Sequence, residues 1–461
     1  MVDRYVVQDN ATIEQAMRCI DQSGGTVALI TYRKRLVGLV TNGDIRRAIL
    51  QGSLFSRPEA EVMNSDPFLL RTSEMEDNTR LSEALMFLKE TGANVMPVID
   101  DDSRLLDLLF TPQLEALVSR ALRKTDGDSK QRPRILLVGG AGYIGSVLAR
   151  LLIENGFDVR VADRLMYGRE PIETLIGQPH YEFFRSDIRH IENMIDLVAD
   201  VYAVVHMAEI VGDPACALDP SLALETNFLS VLAFATLCSH IQVNRFVYLS
   251  SCSVYGANSN PDKLLTEDSP LNPVSLYAQM KVKTESGLVE LAERSVNFSP
   301  VLLRLATVFG WSLRPRFDLV VNRMTAQAVR DGTITIFGGE QWRPNIHVSD
   351  VSRAILAVLQ APVVDISCRA LNVGDNDLNY QVREIGESVA RGVVGTRIQL
   401  EVDNTDKRDY RVSFDAIREL LGFEASVSLS DGIREISEFL DLESVDFHHP
   451  RYNNLYSLRM Q

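Results

Sequence analysis

Features that mark several common protein classes are scarce in this sequence of 461 residues. It holds 5 cysteines with no CxxC pair, so no disulfide framework is expected and the cysteines fit a reducing compartment. Its 7 histidines form no HExxH or HxxxH spacing, which argues against a metal site. The sequence opens without a signal-like apolar segment and has no uncharged apolar run of about 18 residues, so we expect no membrane span and a cytoplasmic protein.

Positive charge is also in deficit. Lys and Arg number 47 against 62 Asp and Glu, a formal net charge of -15, and the longest basic block is Arg33-Lys34-Arg35. Such a chain repels phosphate backbones, so nucleic acid is not an expected partner. Hydrophobic residues make up 46% and charged residues 24%, which is typical of soluble globular proteins, and the length suits two or three domains.

A polar segment over residues 125–133, punctuated by Gly and Pro and without aliphatic side chains, divides the sequence. The chain beyond this segment has the pattern of alternating strands and helices, beginning with the apolar run at 135–138. We therefore predict four segments, namely a regulatory domain at 1–120, a linker at 121–133, a larger α/β domain at 134–445 and a C-terminal tail at 446–461.

The first domain contains one small α/β module twice. Each copy runs from an amphipathic helix to an apolar strand and then to a second strand, which ends at Thr41 in one copy and at Thr111 in the other. The order and the string GLVTNGD at 38–44 resemble a CBS pair, and that resemblance implies an adenine-nucleotide site at Thr41 and Asp44. Leu114 replaces the Asp in the second copy. The alternative is that Asp44 only caps a helix and that the module mediates dimerisation.

A glycine-rich turn opens the larger domain. Gly139, Gly142 and Gly145 follow a strand and precede a helix, a spacing that lets backbone approach a pyrophosphate and aims helix N–H groups at it. The next strand ends on Asp163, and a carboxylate there suits a ribose diol and disfavours a 2′-phosphate, so NAD is expected rather than NADP. The predicted cofactor contacts in this part of the chain are Gly139, Gly142, Tyr143, Ile144, Gly145 and Asp163.

Two later strand ends extend this pattern, with Asp187 and Ile188 after the third strand and Ala208 after the fourth. The order resembles the extended short-chain dehydrogenase/reductase family over residues 134–440. That resemblance implies a Rossmann fold, a doubly wound parallel sheet with a small C-terminal substrate subdomain. It places Asp187 by the adenine and Ala208 by the nicotinamide ribose, and Ile188 is a further predicted cofactor contact. The chain departs from the family at Glu209, where a second Ala is usual, and this carboxylate either obstructs the cofactor or contributes to the site.

The string SSCSVYG at 250–256 is followed by Tyr277 and Lys281 in YxxxK spacing, which places both side chains on one helix face, one turn apart. A nearby ammonium favours phenolate, so Lys281 is expected to lower the pKa of Tyr277, which then acts as general base. Ser251 is expected to hydrogen-bond the same substrate hydroxyl. The resemblance also places Tyr277 and Lys281 at the cofactor. The alternative is that Tyr277 is an ordinary helix-surface tyrosine.

The residues after Ser251 bear on the type of reaction. The sugar-nucleotide dehydratases that this chain resembles carry Asp-Glu at this point, whereas this chain has Cys252 and Ser253, so dehydration is disfavoured. We predict an NAD-dependent nucleotide-sugar epimerase that acts at carbon 4 through a transient keto intermediate and is regulated by nucleotide binding to the CBS pair. One alternative is a nucleotide-sugar 4-dehydrogenase similar to enzymes that oxidise GDP-heptoses. Another is a nucleotide-sensing regulatory protein whose dehydrogenase half is catalytically idle.

The C-terminal strings RLATVFG at 304–310 and QWRPNIHVSD at 341–350 resemble the nucleotide-sugar-binding segments of the epimerase/dehydratase branch. A guanidinium fork suits a diphosphate, and the resemblance assigns that contact to Arg343. The predicted substrate-binding residues are Ser253, Thr307, Arg316 and Arg343. Because both halves resemble self-associating modules, we expect a homo-oligomer, either a dimer or a tetramer.

Overall fold

The computed structural model describes residues 2–23, 27–50, 57–58, 62–75, 77–91, 93, 95–111, 113–114, 118, 132–257, 263–295, 297–401, 408–442 and 445–459. The chain divides into two compact units, one formed by Met1–Arg132 with Ala292–Asn297 and the other by Pro133–Leu291 with Phe298–Gln461. Of the predicted linker at 121–133, only Arg132 and Pro133 are among the described residues.

The first unit contains one β-α-β-β module twice. In each copy the first strand pairs parallel with the second, and the second pairs antiparallel with the third. The elements of the first copy are β1 (Val6–Gln8), α1 (Ile13–Gln22), β2 (Val27–Tyr32), β3 (Arg35–Thr41) and α2 (Asn42–Leu50). Those of the second copy are β4 (Leu70–Arg71), α3 (Asn78–Thr91), β5 (Val95–Ile99) and β6 (Leu105–Phe110). The predicted internal repeat is confirmed.

The sequence explains the start and the buried face of α1. A capping box opens the helix, in which the Thr12 hydroxyl accepts from the Gln15 N–H and the Gln15 side chain accepts from the Thr12 N–H. The helix then buries Ile13, Ala16 and Ile20 at helical spacing, and these residues share one apolar cluster with residues of β2.

A seven-stranded sheet forms the centre of the second unit, and all of its strand pairs are parallel. Its strands are β7 (Arg134–Val138), β8 (Asp158–Asp163), β9 (Tyr181–Arg185), β10 (Ala203–His206), β11 (Arg245–Ser251), β13 (Ser299–Leu305) and β17 (Ala370–Val373). In space they follow the order β9-β8-β7-β10-β11-β13-β17, so the direction of strand succession reverses between β7 and β10. This is the predicted doubly wound sheet, and ligands bind at such a switch point.

Helices cover the sheet because its central strands are apolar on both faces. Ile135 to Val138 of β7 are all buried, and Ile135 and Leu137 share a core cluster with Leu148 and Leu152 of the following helix. The helices of this part are α4 (Gly145–Glu154), α5 (Asp213–Leu218), α6 (Pro220–Leu224), α7 (Ser230–His240), α8 (Leu276–Arg294), α10 (Val348–Gln360), α11 (Val363–Ile366) and α13 (Asp415–Leu421).

A π-helical turn at Glu225–Leu229 joins α6 to α7, which gives one apolar helical segment, Pro220–His240. Among the described residues it is the one helix that is long and apolar enough by composition to cross a membrane, with a mean hydropathy of 1.5. A single helix of this kind is weak support for a membrane span, since core helices of soluble proteins pass the same test and 44% of its most apolar stretch is buried.

A smaller subdomain packs beside the sheet, as predicted for the substrate-binding part. Its strands are β12 (Leu264–Leu265), β14 (Thr307–Phe309), β15 (Thr333–Phe337), β16 (Trp342–His347), β18 (Asn379–Gln381), β19 (Arg397–Glu401) and β20 (Arg411–Val412). Its helices are α9 (Val320–Asp331), α12 (Val382–Gly392) and α14 (Leu429–Leu442). These three helices share one apolar cluster with β15, because each turns a row of aliphatic side chains towards Ile334 and Ile336.

The segment predicted as a tail, 446–461, is part of the second unit. A 3-10 turn at Pro450–Tyr452 leads into α15 (Asn454–Arg459), which packs against α5. Leu458 of α15 packs on the apolar cluster that contains Tyr277. Most residues of this segment are polar, but a small number of apolar side chains such as Leu458 pack on the second unit and hold the segment in place.

Candidate functional site

The carboxyl ends of the central strands border one cavity, which spans the switch point between β7 and β10. Residues of α8 and of the smaller subdomain complete its wall. Of the site residues predicted in this unit, all but Arg343 line the cavity, namely Gly139, Gly142, Tyr143, Ile144, Gly145, Asp163, Asp187, Ile188, Ala208, Ser251, Ser253, Tyr277, Lys281, Thr307 and Arg316.

The glycine turn after β7 fits a dinucleotide pyrophosphate. A Cβ on Gly139 would lie 2.6 Å from the backbone nitrogen of Ala208, and one on Gly145 would lie 2.5 Å from the Cα of Gly140, so the turn packs directly on backbone. Gly142 lines the cavity, and the nearest atom to a Cβ there is the Gly139 carbonyl oxygen at 3.3 Å. The helix α4 begins at Gly145, so its unpaired N–H groups lie at this wall and favour a negatively charged group.

Asp163 ties the second strand to this turn. One of its carboxylate oxygens accepts a hydrogen bond from the Ala141 N–H at 3.0 Å, and the other accepts one from the Leu165 N–H at 2.7 Å. Burial raises the pKa of Asp163, and the two hydrogen bonds oppose that effect. The carboxylate is therefore held at the end of β8, where the prediction of a ribose contact requires it.

The charges beside Asp163 suit NAD better than NADP. Arg164 lies 3.6 Å from the Asp187 carboxylate, and Arg189 pairs with the same carboxylate at 2.8 Å. Burial opposes ionisation of Asp187, but the hydrogen bonds and charge of Arg189 hold its pKa below the ordinary value. Both guanidinium groups thus have a carboxylate partner, so a 2′-phosphate would meet carboxylates as well as cations.

Ser251 and Tyr277 come from different elements and line the same cavity. Ser251 ends β11, and its Oγ accepts a hydrogen bond from the Ser253 N–H at 3.1 Å, which leaves the hydroxyl proton to be donated elsewhere. Tyr277 lies in the first turn of α8 and is 9% exposed, packed with Ile210 and Met280. The alternative interpretation of Tyr277 as a surface tyrosine is wrong.

The lysine of the YxxxK motif has an acidic partner. The Lys281 ammonium forms an ion pair with the Glu209 carboxylate and also donates to the Leu249 carbonyl. The other oxygen of Glu209 accepts a hydrogen bond from the Tyr248 hydroxyl at 2.8 Å. Burial and the negative charge of Glu209 raise the pKa of Tyr277 well above its ordinary value. The predicted lowering of that pKa by Lys281 is therefore wrong, because burial is the largest effect and the Glu209 charge adds to it.

Arg343 is not among the residues that line the cavity, so the diphosphate contact stays a prediction from the sequence. The residue lies on β16, is 6% exposed, and donates from Nη1 to the carbonyls of Trp342 and Arg408. Because it faces the inside of the subdomain, its guanidinium supports the segment that carries Arg408. Arg408 itself lines the cavity.

Three further residues of the wall carry little signal in the sequence, namely Tyr167, Arg314 and Asn454. The Arg314 guanidinium stacks 3.7 Å from the centre of the Tyr167 ring and donates to the Asn454 side chain at 2.7 Å. The repetition of arginine at 314 and 316 is a signal that points to this wall. Asn454 lies in the segment predicted as a tail, so only the folded chain brings it here.

Unpaired hydroxyl groups also lie in this wall. Tyr167 Oη, Thr226 Oγ1 and Ser253 Oγ are buried, and none has a hydrogen-bond partner among the described residues. Buried polar groups in proteins are normally paired, so these hydroxyls suit a bound molecule that has polar groups of its own.

In the first unit, Thr41 ends β3 and Asp44 lies in the first turn of α2. One oxygen of Asp44 accepts hydrogen bonds from the Thr41 N–H at 2.8 Å and from the Thr41 hydroxyl at 2.6 Å. Arg47 forms an ion pair with the other oxygen of Asp44. The two predicted nucleotide contacts are therefore neighbours at a strand-to-helix junction, an arrangement that also suits the alternative role of a helix cap.

Comparison with known proteins agrees with both units. A family model described as the NAD dependent epimerase/dehydratase family matches residues 135–374, and a CBS domain model matches residues 1–51. The low-salt glycan biosynthesis protein Agl12 of Haloferax volcanii is 29% identical over 66% of this chain and 97% of its own length. A UDP-glucose 4-epimerase of Lactobacillus helveticus is 29% identical over 58% of this chain and 83% of its own length.

Solved structures give the same result. The UDP-glucuronic acid 4-epimerase from Bacillus cereus, in complex with UDP-glucuronic acid and NAD, is 25% identical with a TM-score of 0.61, over 67% of this chain and 99% of that chain. The UDP-glucose 4-epimerase from Thermotoga maritima, with UDP-glucose, is 26% identical with a TM-score of 0.61, over 67% of this chain and 100% of that chain.

Proposed function

The chain belongs to the NAD-dependent epimerase/dehydratase family, and from this premise we propose that it is a nucleotide-sugar 4-epimerase. The observation that carries the proposal is that Ser251 and Tyr277 line one cavity with the dinucleotide turn, while Cys252 and Ser253 stand where a dehydratase has Asp-Glu. Two similar solved proteins are 4-epimerases of UDP-sugars, which supports the same assignment.

The chain's own residues have distinct roles in this proposal. Bound NAD supplies a group that accepts a hydride from carbon 4 and returns it. Tyr277 removes the proton of the 4-hydroxyl and later returns it, and Ser251 donates a hydrogen bond to the same oxygen and holds it in line. Ser251 suits this role because its Oγ already accepts a hydrogen bond from the Ser253 N–H, so its hydroxyl proton is available to another acceptor.

The charges and hydroxyls of the wall support a nucleotide-diphosphate sugar as substrate. Arg314, Arg316 and Arg408 bring guanidinium groups to the cavity, and such groups bind diphosphates through paired hydrogen bonds. Arg316 is held by the Asp318 carboxylate, with Nε donating at 3.1 Å. The unpaired hydroxyls of Thr226 and Ser253 suit the hydroxyl groups of a sugar.

The proposal is tested by incubating the full-length protein with NAD and a panel of UDP-, GDP- and dTDP-sugars. Proton NMR detects inversion at carbon 4, and absorbance at the NADH wavelength detects reduced cofactor. Tyr277→Phe and Ser251→Ala are each expected to lower kcat by about 10²–10⁴-fold, because each removes a group that handles the hydroxyl proton. Tyr456→Phe makes the same change as Tyr277→Phe at a tyrosine that is 45% exposed, and it is expected to leave kcat unchanged.

Two results contradict the 4-epimerase proposal. Accumulation of a 4-keto sugar together with stoichiometric NADH identifies a 4-dehydrogenase. Absence of turnover with every sugar, in protein that binds NAD, identifies a catalytically idle sensor.

We further propose that the first unit binds an adenine nucleotide and thereby changes the turnover of the enzyme. The CBS domain match over residues 1–51 and the position of Thr41 and Asp44 at the β3–α2 junction support this. The second copy has Leu114 in place of the acidic residue, so one site for each chain is expected, in the first copy.

Calorimetric titration of the full-length protein with AMP, ADP and ATP tests this proposal. Thr41→Ala and Asp44→Ala are expected to abolish the heat of binding. Thr111→Ala makes the matched change in the second copy and is expected to keep it. Absence of heat and of any change in rate with all three nucleotides contradicts nucleotide regulation, and binding that survives Asp44→Ala contradicts the assigned site.

We also propose that the protein is a homo-oligomer. The Pro220–His240 segment leaves Leu224 and Leu229 exposed at 40% and 53%, which supports burial of this face against another copy of the chain. Sedimentation velocity is expected to show a dimer or a larger assembly, and Leu229→Glu is expected to reduce the fraction of assembled protein. A wild-type monomer at micromolar concentration contradicts this proposal.

A further inference from the structure

The position of Glu209 is fixed from three sides. Its side chain is 3% exposed and borders the cavity. The next residue, Ile210, is held by the Asn227 side chain, which accepts from its N–H and donates to its carbonyl, each at 2.8 Å. Tyr248 donates to one carboxylate oxygen at 2.8 Å, and Lys281 pairs with the other. A carboxylate with these bonds has little freedom to turn away from the cavity.

Lys281 has two kinds of partner. Its Nζ pairs with Glu209 and donates to the Leu249 carbonyl. The same atom lies 4.6 Å from the centre of the Tyr248 ring and 5.6 Å from that of Tyr277. Its side chain is 4% exposed, so solvent contributes little to the screening of its charge. In the described part of the chain, the carboxylate that pairs with this ammonium is that of Glu209.

The ion pair changes the electrostatic potential of the cavity. A lone buried ammonium would make this part of the cavity positive, and low solvent exposure would extend that field. With a carboxylate in direct contact, the pair is neutral overall, and its field falls off within a few ångströms. The oxidised nicotinamide ring carries a positive charge and the reduced ring carries none. A net charge at this position, as left by the loss of one partner, therefore acts on the oxidised ring and hardly on the reduced one.

We propose that Glu209 is an electrostatic positioning residue that offsets Lys281 and thereby sets the preference of the site for oxidised over reduced nicotinamide. The proposal goes beyond the 4-epimerase assignment and rests only on NAD binding, so it holds or fails whichever sugar reaction the protein performs. It predicts that loss of the Glu209 charge weakens binding of NAD⁺ more than binding of NADH.

Binding measurements on the full-length protein test this without turnover. The dissociation constants of NAD⁺ and of NADH are measured by calorimetry and by cofactor fluorescence for the wild type and for Glu209→Gln. The ratio of the two constants is expected to shift towards NADH by about tenfold, since an uncompensated ammonium repels the oxidised ring. A tenfold change in that ratio corresponds to about 30 mV in the reduction potential of the bound two-electron couple.

Lys281→Met and the double variant Glu209→Gln/Lys281→Met complete the charge cycle. Burial raises the pKa of Glu209, and Lys281 opposes that effect, so in Lys281→Met the carboxyl group ionises less readily than in the wild type. This variant is therefore expected to shift the ratio towards NAD⁺, and the shift is expected to grow as the pH rises. The double variant has neither charge and is expected to return the ratio to near the wild-type value. These two variants keep the proposal testable if Glu209→Gln alone fails to fold.

Glu285→Gln is the matched control for loss of a buried ion pair. Glu285 lies one helical turn beyond Lys281 on α8, and pairs with Arg304 at 2.8 Å with side chains 5% and 7% exposed. Neither residue is among those that line the cavity. This variant is expected to lower the unfolding temperature and to leave the ratio unchanged. If Glu209→Gln weakens both cofactor forms equally, as Glu285→Gln would through stability alone, Glu209 has only a structural role and the proposal is wrong.

Discussion

Arg343 donates a hydrogen bond to the main-chain carbonyl of Arg408, which joins β16 to the segment that brings Arg408 into the cavity wall. Arg408 also lies 3.5 Å from the Asp213 carboxylate at the start of α5. One arginine therefore supports the position of another. The two residues have roles that separate variants distinguish.

Arg408→Ala is expected to weaken binding of UDP by about tenfold, which is the loss of one charge-assisted hydrogen bond, and to leave the unfolding temperature nearly unchanged. Arg343→Ala is expected to lower the unfolding temperature as well, because it removes a buried group that bonds two carbonyls. Calorimetry with UDP and thermal unfolding measure the two effects. Loss of UDP binding in Arg343→Ala alone, with unchanged stability, would support the direct diphosphate contact predicted from the sequence.

Because the His206 imidazole is buried, we expect the stability of the protein to fall as the pH is lowered. The residue is fully buried among the rings of Phe234, Phe246 and Tyr248. Burial, with a smaller contribution from the Lys281 charge, lowers its pKa from 6.5 to about 3. Between about pH 3 and pH 6.5 the folded protein keeps His206 neutral, whereas the unfolded chain binds a proton at this residue. Its contribution to stability is therefore complete above pH 6.5 and is lost as the pH falls towards 3.

At pH 5 the stability lost through His206 is about 2 kcal/mol relative to pH 7.5. Urea unfolding at these two pH values measures it. Between pH 7.5 and pH 5, the free energy of unfolding of His206→Leu is expected to fall by about 2 kcal/mol less than that of the wild type. His240→Leu changes an exposed histidine and is expected to follow the wild type. Equal losses in His206→Leu and in the wild type would show that His206 is not the group that titrates.

Gly145→Ala is expected to abolish NAD binding, because the added Cβ would lie 2.5 Å from the Gly140 Cα and 2.7 Å from its carbonyl oxygen, so the turn has to move. Gly177→Ala is the matched control. At Gly177 no atom of the described residues lies within 4 Å of an added Cβ, although φ is +82°. A cost of about 1 kcal/mol in stability and unchanged NAD affinity are therefore expected. Calorimetric titration with NAD measures both variants. Normal NAD affinity in folded Gly145→Ala would contradict the placement of the pyrophosphate at this turn.

Glu209→Gln is expected to change the pH profile of turnover. Burial and the Glu209 charge raise the pKa of Tyr277, and the substitution removes the second cause and leaves Lys281 uncompensated. Both changes favour phenolate, so the rise of kcat/KM with pH is expected to begin about one pH unit lower than in the wild type. A profile that is unchanged or displaced to higher pH would mean that Glu209 does not act on Tyr277.

Much of the cofactor half is predictable because its signals are local. The spacing of Gly139, Gly142 and Gly145 and the acidic residue at the end of β8 specify one turn and one strand end, and the structure brings them to one cavity. The tandem repeat of the first unit is equally local, since each copy repeats the same helix and strand pattern.

The sequence says least about side chains whose partners are distant in the chain. The YxxxK spacing predicts that Lys281 acts on Tyr277, one turn away. In the structure Lys281 pairs with Glu209, which lies just beyond the end of β10. Arg343 is buried and donates to the main-chain carbonyl of Arg408, and nothing in the string QWRPNIHVSD encodes that distant partner. Asn454 is polar and lies among polar neighbours, so periodicity gives no sign that α15 packs beside Tyr277.

The wall of the cavity is built from residues as far apart as Gly139 and Asn454. A ribosome that adds about 5–20 residues per second needs roughly 15–60 s to proceed from one to the other. During that interval a nascent chain has the glycine turn and then all seven strands of the central sheet, the last of which ends at Val373, but lacks α15. The dinucleotide side of the cavity is thus available for folding well before the side that Asn454 and Arg314 complete, and early capture of NAD would stabilise the half-made sheet during synthesis.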